Sequence, residues 1–117
     1  MKLVLLVEDD DFVREYLARS IERRGFKVIG AAKGYEAIDL YKENKPDFVL
    51  LDIGLPDING KEVLKQMREI DPNAKIYFVS GSEEIVSDYH AKQLGADGRL
   101  TKPIDTEEVM KIIGAVE

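Results

Sequence analysis

Three features of the sequence predict an α/β fold built on a five-stranded parallel sheet. Five short apolar runs alternate with five segments of helical period. The runs are continuous rather than alternating with polar residues, as expected of strands covered on both faces. The residues that close the runs are polar and chemically active: Glu8 and Asp9, then Asp52, Ser80 and Lys102. Repeated strand–helix units imply right-handed crossovers with helices on both faces of the sheet, and residues 1–117 are expected to form one domain.

The elements follow in order. Leu3 to Val7 reads as the first buried strand. Phe12, Val13, Tyr16, Leu17 and Ile21 mark the first helix, with Asp10 and Asp11 as caps and Gly25 at its C-terminal end. Val13, Leu17 and Ile21 lie along one line and are expected in the core. Phe12, about 180° round from Ile21, is expected to be at least partly exposed. Phe26 to Ile29 forms the second strand, and Glu36 to Asn44 the second helix, stopped by Pro46. Phe48 to Leu51 is the third strand. Asp57 and Asn59 read as turn residues before a helix carrying Val63, Leu64, Met67 and Ile70, which Asp71-Pro72-Asn73 closes. Ile76 to Val79 is the fourth strand. Ile85, Val86, Tyr89 and Leu94 mark a fourth helix ending at Gly95. Arg99 to Lys102 is a short fifth strand. Asp105 caps the last helix, with Glu108 completing a capping-box-like pair. The apolar face of that helix is Val109, Ile112, Ile113 and Val116.

Composition narrows the function. The net charge of −6 argues against nucleic acid as a direct partner, because phosphate contacts need a basic surface. The absence of cysteine excludes disulfides, thiol catalysis and cysteine-ligated metal. The apolar start, Leu3 to Val7, is too short for a signal peptide and runs into four acids, Glu8 to Asp11. No stretch is long enough to span a membrane, and a cytoplasmic setting is expected.

In open parallel sheets, ligands bind beyond the carboxyl ends of the strands. Those ends deliver Glu8 and Asp9, Asp52, Ser80 and Lys102. Converging carboxylates repel one another and need a cation. Hard oxygen ligands without histidine or cysteine suit Mg²⁺. A lysine and a hydroxyl opposite them suit the oxygens of a transferring phosphoryl group, and an aspartate can itself be the nucleophile. Taken singly, an aspartate at a strand end is equally a cap or turn former, and a lone lysine a solvated surface charge.

These residues resemble the receiver domain family of two-component response regulators over essentially the whole chain. The resemblance is carried by Val7-Glu8-Asp9-Asp10, by Leu51-Asp52-Ile53-Gly54-Leu55-Pro56-Asp57-Ile58-Asn59-Gly60, by Val79-Ser80-Gly81 and by Thr101-Lys102-Pro103. It implies a flavodoxin-like doubly wound sheet with strand order 2-1-3-4-5. It implies that Asp52 accepts a phosphoryl group from a sensor histidine kinase or histidine phosphotransfer protein. It further implies Mg²⁺ held by Glu8, Asp9, Asp52 and the Gly54 carbonyl, Ser80 and Lys102 on the phosphoryl oxygens, and a cis peptide before Pro103. A downstream protein target is implied but not identified, and the chain is compatible with a stand-alone regulator or with a receiver cut from a longer protein.

The sequence departs from the family pattern at three places. Gly54 stands where a bulky residue is usual, Arg99 where an aromatic switch ring is usual, and Ser80-Gly81 where Thr-Ala is usual. Phe12 is expected to help dock the histidine-bearing partner. His90, the only histidine, lacks a partner motif and is expected to have a surface or structural role. Three other readings compete. A receiver-like module that works without phosphorylation would be expected to lack the acceptor, acids or lysine. A Mg²⁺-dependent aspartyl phosphatase needs a second aspartate where Gly54 stands. A flavin domain would meet repulsion from Glu8 to Asp11.

Overall fold

The computed structural model describes residues 1–81, 84–85 and 87–114. Five strands, β1 (Leu3–Val7), β2 (Lys27–Ala31), β3 (Phe48–Asp52), β4 (Ile76–Ser80) and β5 (Gly98–Thr101), pair in parallel in the order β2-β1-β3-β4-β5. Five helices alternate with them: α1 (Asp11–Glu22), α2 (Gly34–Asn44), α3 (Gly60–Ile70), α4 (Asp88–Gln93) and α5 (Thr106–Ile113). The chain steps outward from β1 to β2, then returns to the other side of β1 for β3. This reversal leaves the carboxyl ends of β1 and β3 side by side, with Val7 opposite Leu51.

Strand alternation divides the core in two. Leu5, Val7, Val49, Leu51, Ile76 and Phe78 face Ala37, Ile38, Val63, Leu64 and Met67, so α2 and α3 cover one face. Val4, Leu6, Phe48, Leu50 and Val79 face Leu17, Ile21, Val109 and Ile113, so α1 and α5 cover the other. The central strands are therefore apolar up to the residues that close β3 and β4, Asp52 and Ser80, which is why they read as unbroken runs.

Caps fix the helix starts that border the site. The Asp10 carboxylate accepts from the Val13 N–H, Asn59 from Lys61 and Asp105 from Glu107. Asp11 is already inside the first turn, where its carboxylate pairs with Arg14 at 2.6 Å. Gly25 and Gly95 end α1 and α4 at φ +97° and +103°, backbone that a side chain rarely adopts. Arg68 ties α3 to the bottom of the sheet: it donates to the carbonyls of Ala74 and Gly95 and pairs with Asp97 at 3.0 Å.

Several expectations are corrected. Val13 is 37 % exposed, because about 100° per residue places it at the edge of the buried face rather than on it. Tyr16 and Ile70 are likewise exposed. The fourth helix begins at Asp88, capped by Ser87, rather than near Ile85. Ile85 is buried ahead of it, packed into the core as a loop residue, and Tyr89 points to solvent. Asp57 caps α2 from afar, accepting from the Gly34 and Tyr35 N–H groups at 2.8 and 3.1 Å. β2 and β5 are each shifted by one or two residues from the expected ranges. Val86 and Val116 lie outside the described residues.

Candidate functional site at the carboxyl edge of the sheet

Asp52, the last residue of β3, is buried among the strand ends with only 2 % of its surface exposed. Its Oδ1 accepts the Gly54 N–H at 3.0 Å and its Oδ2 accepts from Lys102 Nζ at 2.8 Å. Glu8, one residue past β1, is 4 % exposed, and its carboxylate accepts the Asp10 N–H at 3.0 Å. Asp9 is exposed at the rim. One carboxylate oxygen from each of Glu8, Asp9 and Asp52 lies within 4.8 Å of the others.

The backbone explains this convergence. Val7 pairs with Leu51 and Asp52 with Val79, so the next residues of β1 and β4, Glu8 and Ser80, flank Asp52. Lys102 arrives because its N–H extends the β4–β5 ladder to the Ser80 carbonyl at 2.9 Å, and the Lys102–Pro103 peptide is cis. The loop from Ile53 to Asn59 folds back tightly: the Gly60 N–H reaches the Ile53 carbonyl at 3.1 Å. A Cβ on Gly60 would stand 2.7 Å from Ile53 Cα and 2.8 Å from the Asp52 carbonyl oxygen.

The electrostatics are those of crowded acids around one cation. Burial pushes the Glu8 carboxyl above its ordinary value, and the Asp52 charge adds to this against the pull of the Asp10 N–H and Lys102. Burial alone would lower Lys102. Its bond to Asp52 and the charges of Asp52, Glu8 and Asp9 outweigh that and raise it. Lys102 Nζ also stands 3.7 Å from Glu8 Oε1.

Two donors at the site are held differently. The Ser80 hydroxyl is buried and has no hydrogen-bond partner among the described residues. The next residue, Gly81, donates its N–H to the Glu84 carboxylate at 3.1 Å. Gly54 opens on free space, since a Cβ there would meet only Asp52 Oδ1, at 3.9 Å. Arg99 lies on β5, three residues before Lys102, and its guanidinium donates to the Ile85 carbonyl at 2.9 Å.

The structure thus brings together Glu8, Asp9, Asp52, Gly54, Ser80 and Lys102, all singled out in the sequence. His90 lies in α4, on the Ser87 cap, away from them. Beside the acids opens a cavity of about 650 Å³, bordered by Phe12, Val13, Tyr16, Pro103 and Ile104. Phe12 is 80 % exposed there. Tyr16, read from sequence as part of the apolar pattern, stands at its rim, 61 % exposed. Its spacing of four from Phe12 is the signal that places the two rings on one face.

Comparison with known proteins fits this geometry. A family model described as the response regulator receiver domain matches residues 4–114. The chain is 38 % identical over 116 residues to the chemotaxis protein CheY of Thermotoga maritima, covering 98 % of this chain and 97 % of that protein. It is 33 % identical over 106 residues to the sporulation initiation phosphotransferase F of Bacillus subtilis, covering 91 % and 86 %. Among solved structures, CheY in a CheX–CheY–BeF3–Mg complex from Borrelia burgdorferi superposes with a TM-score of 0.87 at 31 % identity, covering 98 % of this chain and 88 % of that one. A CheY-like receiver domain from Methanospirillum hungatei superposes with a TM-score of 0.89 at 26 % identity, covering 99 % and 93 %. With the family model spanning nearly all of the chain and the sheet order matching, the chain belongs to the response regulator receiver domain family.

Proposed function

We propose that Asp52 is the phosphoryl acceptor and that the donor is a phosphohistidine on a sensor kinase or phosphotransfer protein. A carboxylate oxygen of Asp52 attacks phosphorus. The new P–O bond forms as the P–N bond to the donor imidazole breaks, and the electron pair of that bond stays on the imidazole nitrogen, which then takes a proton. Lys102 Nζ, already 2.8 Å from Asp52 Oδ2, neutralises the oxygens of the transferring group. The observation that carries the reading is the buried Ser80 hydroxyl without a partner beside that acid–lysine pair. A buried hydroxyl left unbonded is costly, and a phosphoryl oxygen is the acceptor it lacks.

The donor set of Glu8, Asp9 and Asp52 is all hard oxygen, which fits Mg²⁺. Those three carboxylates and the Gly54 carbonyl would hold it, and it would supply charge neutralisation and alignment for the transferring group. The chain acts on itself alone, as a signalling protein with no separate substrate to turn over. Phosphorylation gives Ser80 its partner and so biases the end of β4 toward the signalling state. Arg99 cannot serve as an aromatic switch, so output follows the loop that its guanidinium holds at Ile85. A cytoplasmic setting suits a donor of this class. Among the described residues no helix is long and apolar enough to cross a membrane.

Phe12 helps seat the donor. Phe12→Ala is expected to slow phosphotransfer from a histidine donor while leaving labelling by a small phosphodonor intact. An unchanged transfer rate and unchanged stability would remove the docking role. The acceptor assignment is tested by intact mass after incubation with acetyl phosphate, with and without Mg²⁺, beside Asp52→Asn. A Mg²⁺-dependent gain of one phosphoryl group, absent in the variant, is expected. Full labelling of Asp52→Asn would overturn the assignment. Should the phosphate be short-lived beside the open Gly54, beryllofluoride-induced NMR shifts report the same site.

A further inference from the structure

Glu8 and Asp9 sit on a loop that has left the sheet, and one arginine of α1 holds that loop at both ends. The β1–β2 ladder opens with the Lys27 N–H on the Lys2 carbonyl at 2.9 Å and closes with the Glu8 N–H on the Ala31 carbonyl at 3.0 Å. The next acceptor along β1 is the Glu8 carbonyl. A parallel partner strand would supply its donor, but β2 has ended at Ala31. Arg14 Nη1 takes that place, donating to the Glu8 carbonyl at 2.7 Å. Nη2 of the same guanidinium donates to Asp11 Oδ1, in the first turn of α1, at 2.6 Å.

The sheet makes room for this reach. A Cβ on Gly30 would stand 3.1 Å from Arg14 Cδ and 3.4 Å from its Cγ and Nε. The bare backbone of Gly30 therefore lets the arginine stem lie flat on the edge strand. Gly30 pairs with Leu6, two residues before Glu8, so the guanidinium arrives at the end of β1. Arg14 does not line the cavity beside the acids; with Asp11, Glu15, Ala18 and Gly30 it borders a separate groove. Its bond to Glu8 is to the backbone, while Lys102 meets the Glu8 carboxylate from the site, at 3.7 Å. Between the two points that Arg14 fixes, the loop is closed by short-range bonds: Glu8 Oε2 accepts the Asp10 N–H and Asp10 Oδ1 accepts the Val13 N–H, both at 3.0 Å.

We propose, on the reading of Glu8, Asp9 and Asp52 as a Mg²⁺ site, that Arg14 is the positioning residue of that site. Its fork pins the end of β1 to the start of α1. Four consecutive acids repel one another, and the fork holds the Glu8 and Asp9 carboxylates converged on Asp52 before the ion arrives. The sign of the effect separates positioning from charge. As a positive charge near a cation site Arg14 would oppose Mg²⁺, and its removal would tighten binding. As a clamp, its removal loosens binding.

Mg²⁺ titrations followed by amide NMR shifts compare the native chain with two variants. Arg14→Met keeps most of the stem over Gly30 and loses the fork; Gly30→Ala keeps the charge and displaces the stem. Binding is expected to weaken about 10-fold in Arg14→Met, the usual scale for a group that orients metal ligands, and by a smaller factor in Gly30→Ala. In metal-free buffer, hydrogen exchange at the Asp10 and Val13 N–H groups is expected to speed up in both variants relative to the Leu50 N–H, which reports global opening. Mg²⁺ binding by Arg14→Met as tight as native, or tighter, would overturn the inference; should that variant fail to fold, the same result in Gly30→Ala would overturn it. Unchanged exchange ratios would overturn the clamp itself. A native chain that binds no Mg²⁺ would instead overturn the reading of the three acids as a metal site.

Discussion

Lys102 Nζ sits 2.8 Å from Asp52 Oδ2 and 3.7 Å from Glu8 Oε1, so one ammonium group serves two buried carboxylates. It is the internal counter-charge of the acidic cluster, and a divalent cation would share that task. Lys102→Met, which keeps the apolar stem, is expected to cost about 1 kcal/mol in metal-free buffer; the lysine side chain is partly solvated, which keeps the figure modest. Mg²⁺ is then expected to raise the Tm of the variant by more than it raises that of the native chain. Thermal unfolding with and without Mg²⁺ measures both, and an equal Mg²⁺ shift in the two proteins would show that lysine and metal do not share the charge.

Ser80 gives a prediction of opposite sign. Its hydroxyl is buried and unbonded among the described residues. A buried polar group without a partner costs roughly 1–3 kcal/mol. Ser80→Ala is therefore expected to stabilise the unphosphorylated chain by about 1 kcal/mol in denaturant titrations. The same variant is expected to show smaller beryllofluoride-induced NMR shifts at the end of β4, because the acceptor it would have bonded arrives with the phosphoryl group. A destabilised Ser80→Ala protein would mean that the hydroxyl is satisfied in the resting state.

The sheet and the acid–lysine set were legible in the sequence for a physical reason. Strands buried on both faces leave unbroken apolar runs, and each run ends where Glu8, Asp52, Ser80 or Lys102 leaves the core. What was not legible depends on contacts distant in sequence or on small angles. Val13 differs from Leu17 by only part of a helical turn, yet one is exposed and the other buried. Ile85 looked helical because it is apolar and suitably spaced, but it fills the core from a loop. The cap that Asp57 makes on α2 spans 22 to 23 residues, and Arg68 binds Gly95 across 27. No local pattern encodes either.

Gly60 is a small residue with a large expected effect. A Cβ there would lie within 3 Å of the backbone of both Ile53 and Asp52. Backbone cannot swing aside as a side chain can, so Gly60→Ala is expected to destabilise by about 1–3 kcal/mol. The displaced segment carries Asp52, so Mg²⁺-dependent labelling by acetyl phosphate is also expected to slow. Gly114→Ala is the control, because its Cβ meets nothing. Equal stability of the two variants would contradict the tight turn after β3.

Asp57 links the loop after Asp52 to α2, and it carries a pH signature. Burial nudges its carboxyl upward, but the N–H groups of Gly34, Tyr35, Asp57 and Ile58 outweigh that and hold it below its ordinary value of 3.8. A group whose value is depressed in the folded state contributes stability above its unfolded value. That contribution is lost as pH falls through the folded one. Asp57→Ala removes an acceptor from two N–H groups at the start of α2 and is expected to cost about 1 kcal/mol near neutral pH. The gap to the native chain should narrow as the pH falls below 3.8, where the native carboxylate takes up its proton. Asp57→Asn keeps an oxygen acceptor but cannot titrate, so its gap should be smaller at neutral pH. Denaturant midpoints across that range measure all three proteins. A gap for Asp57→Ala that stays constant down to the lowest pH at which the fold persists would show that the charge of Asp57, as distinct from its hydrogen bonds, contributes nothing to holding the loop after Asp52 against α2.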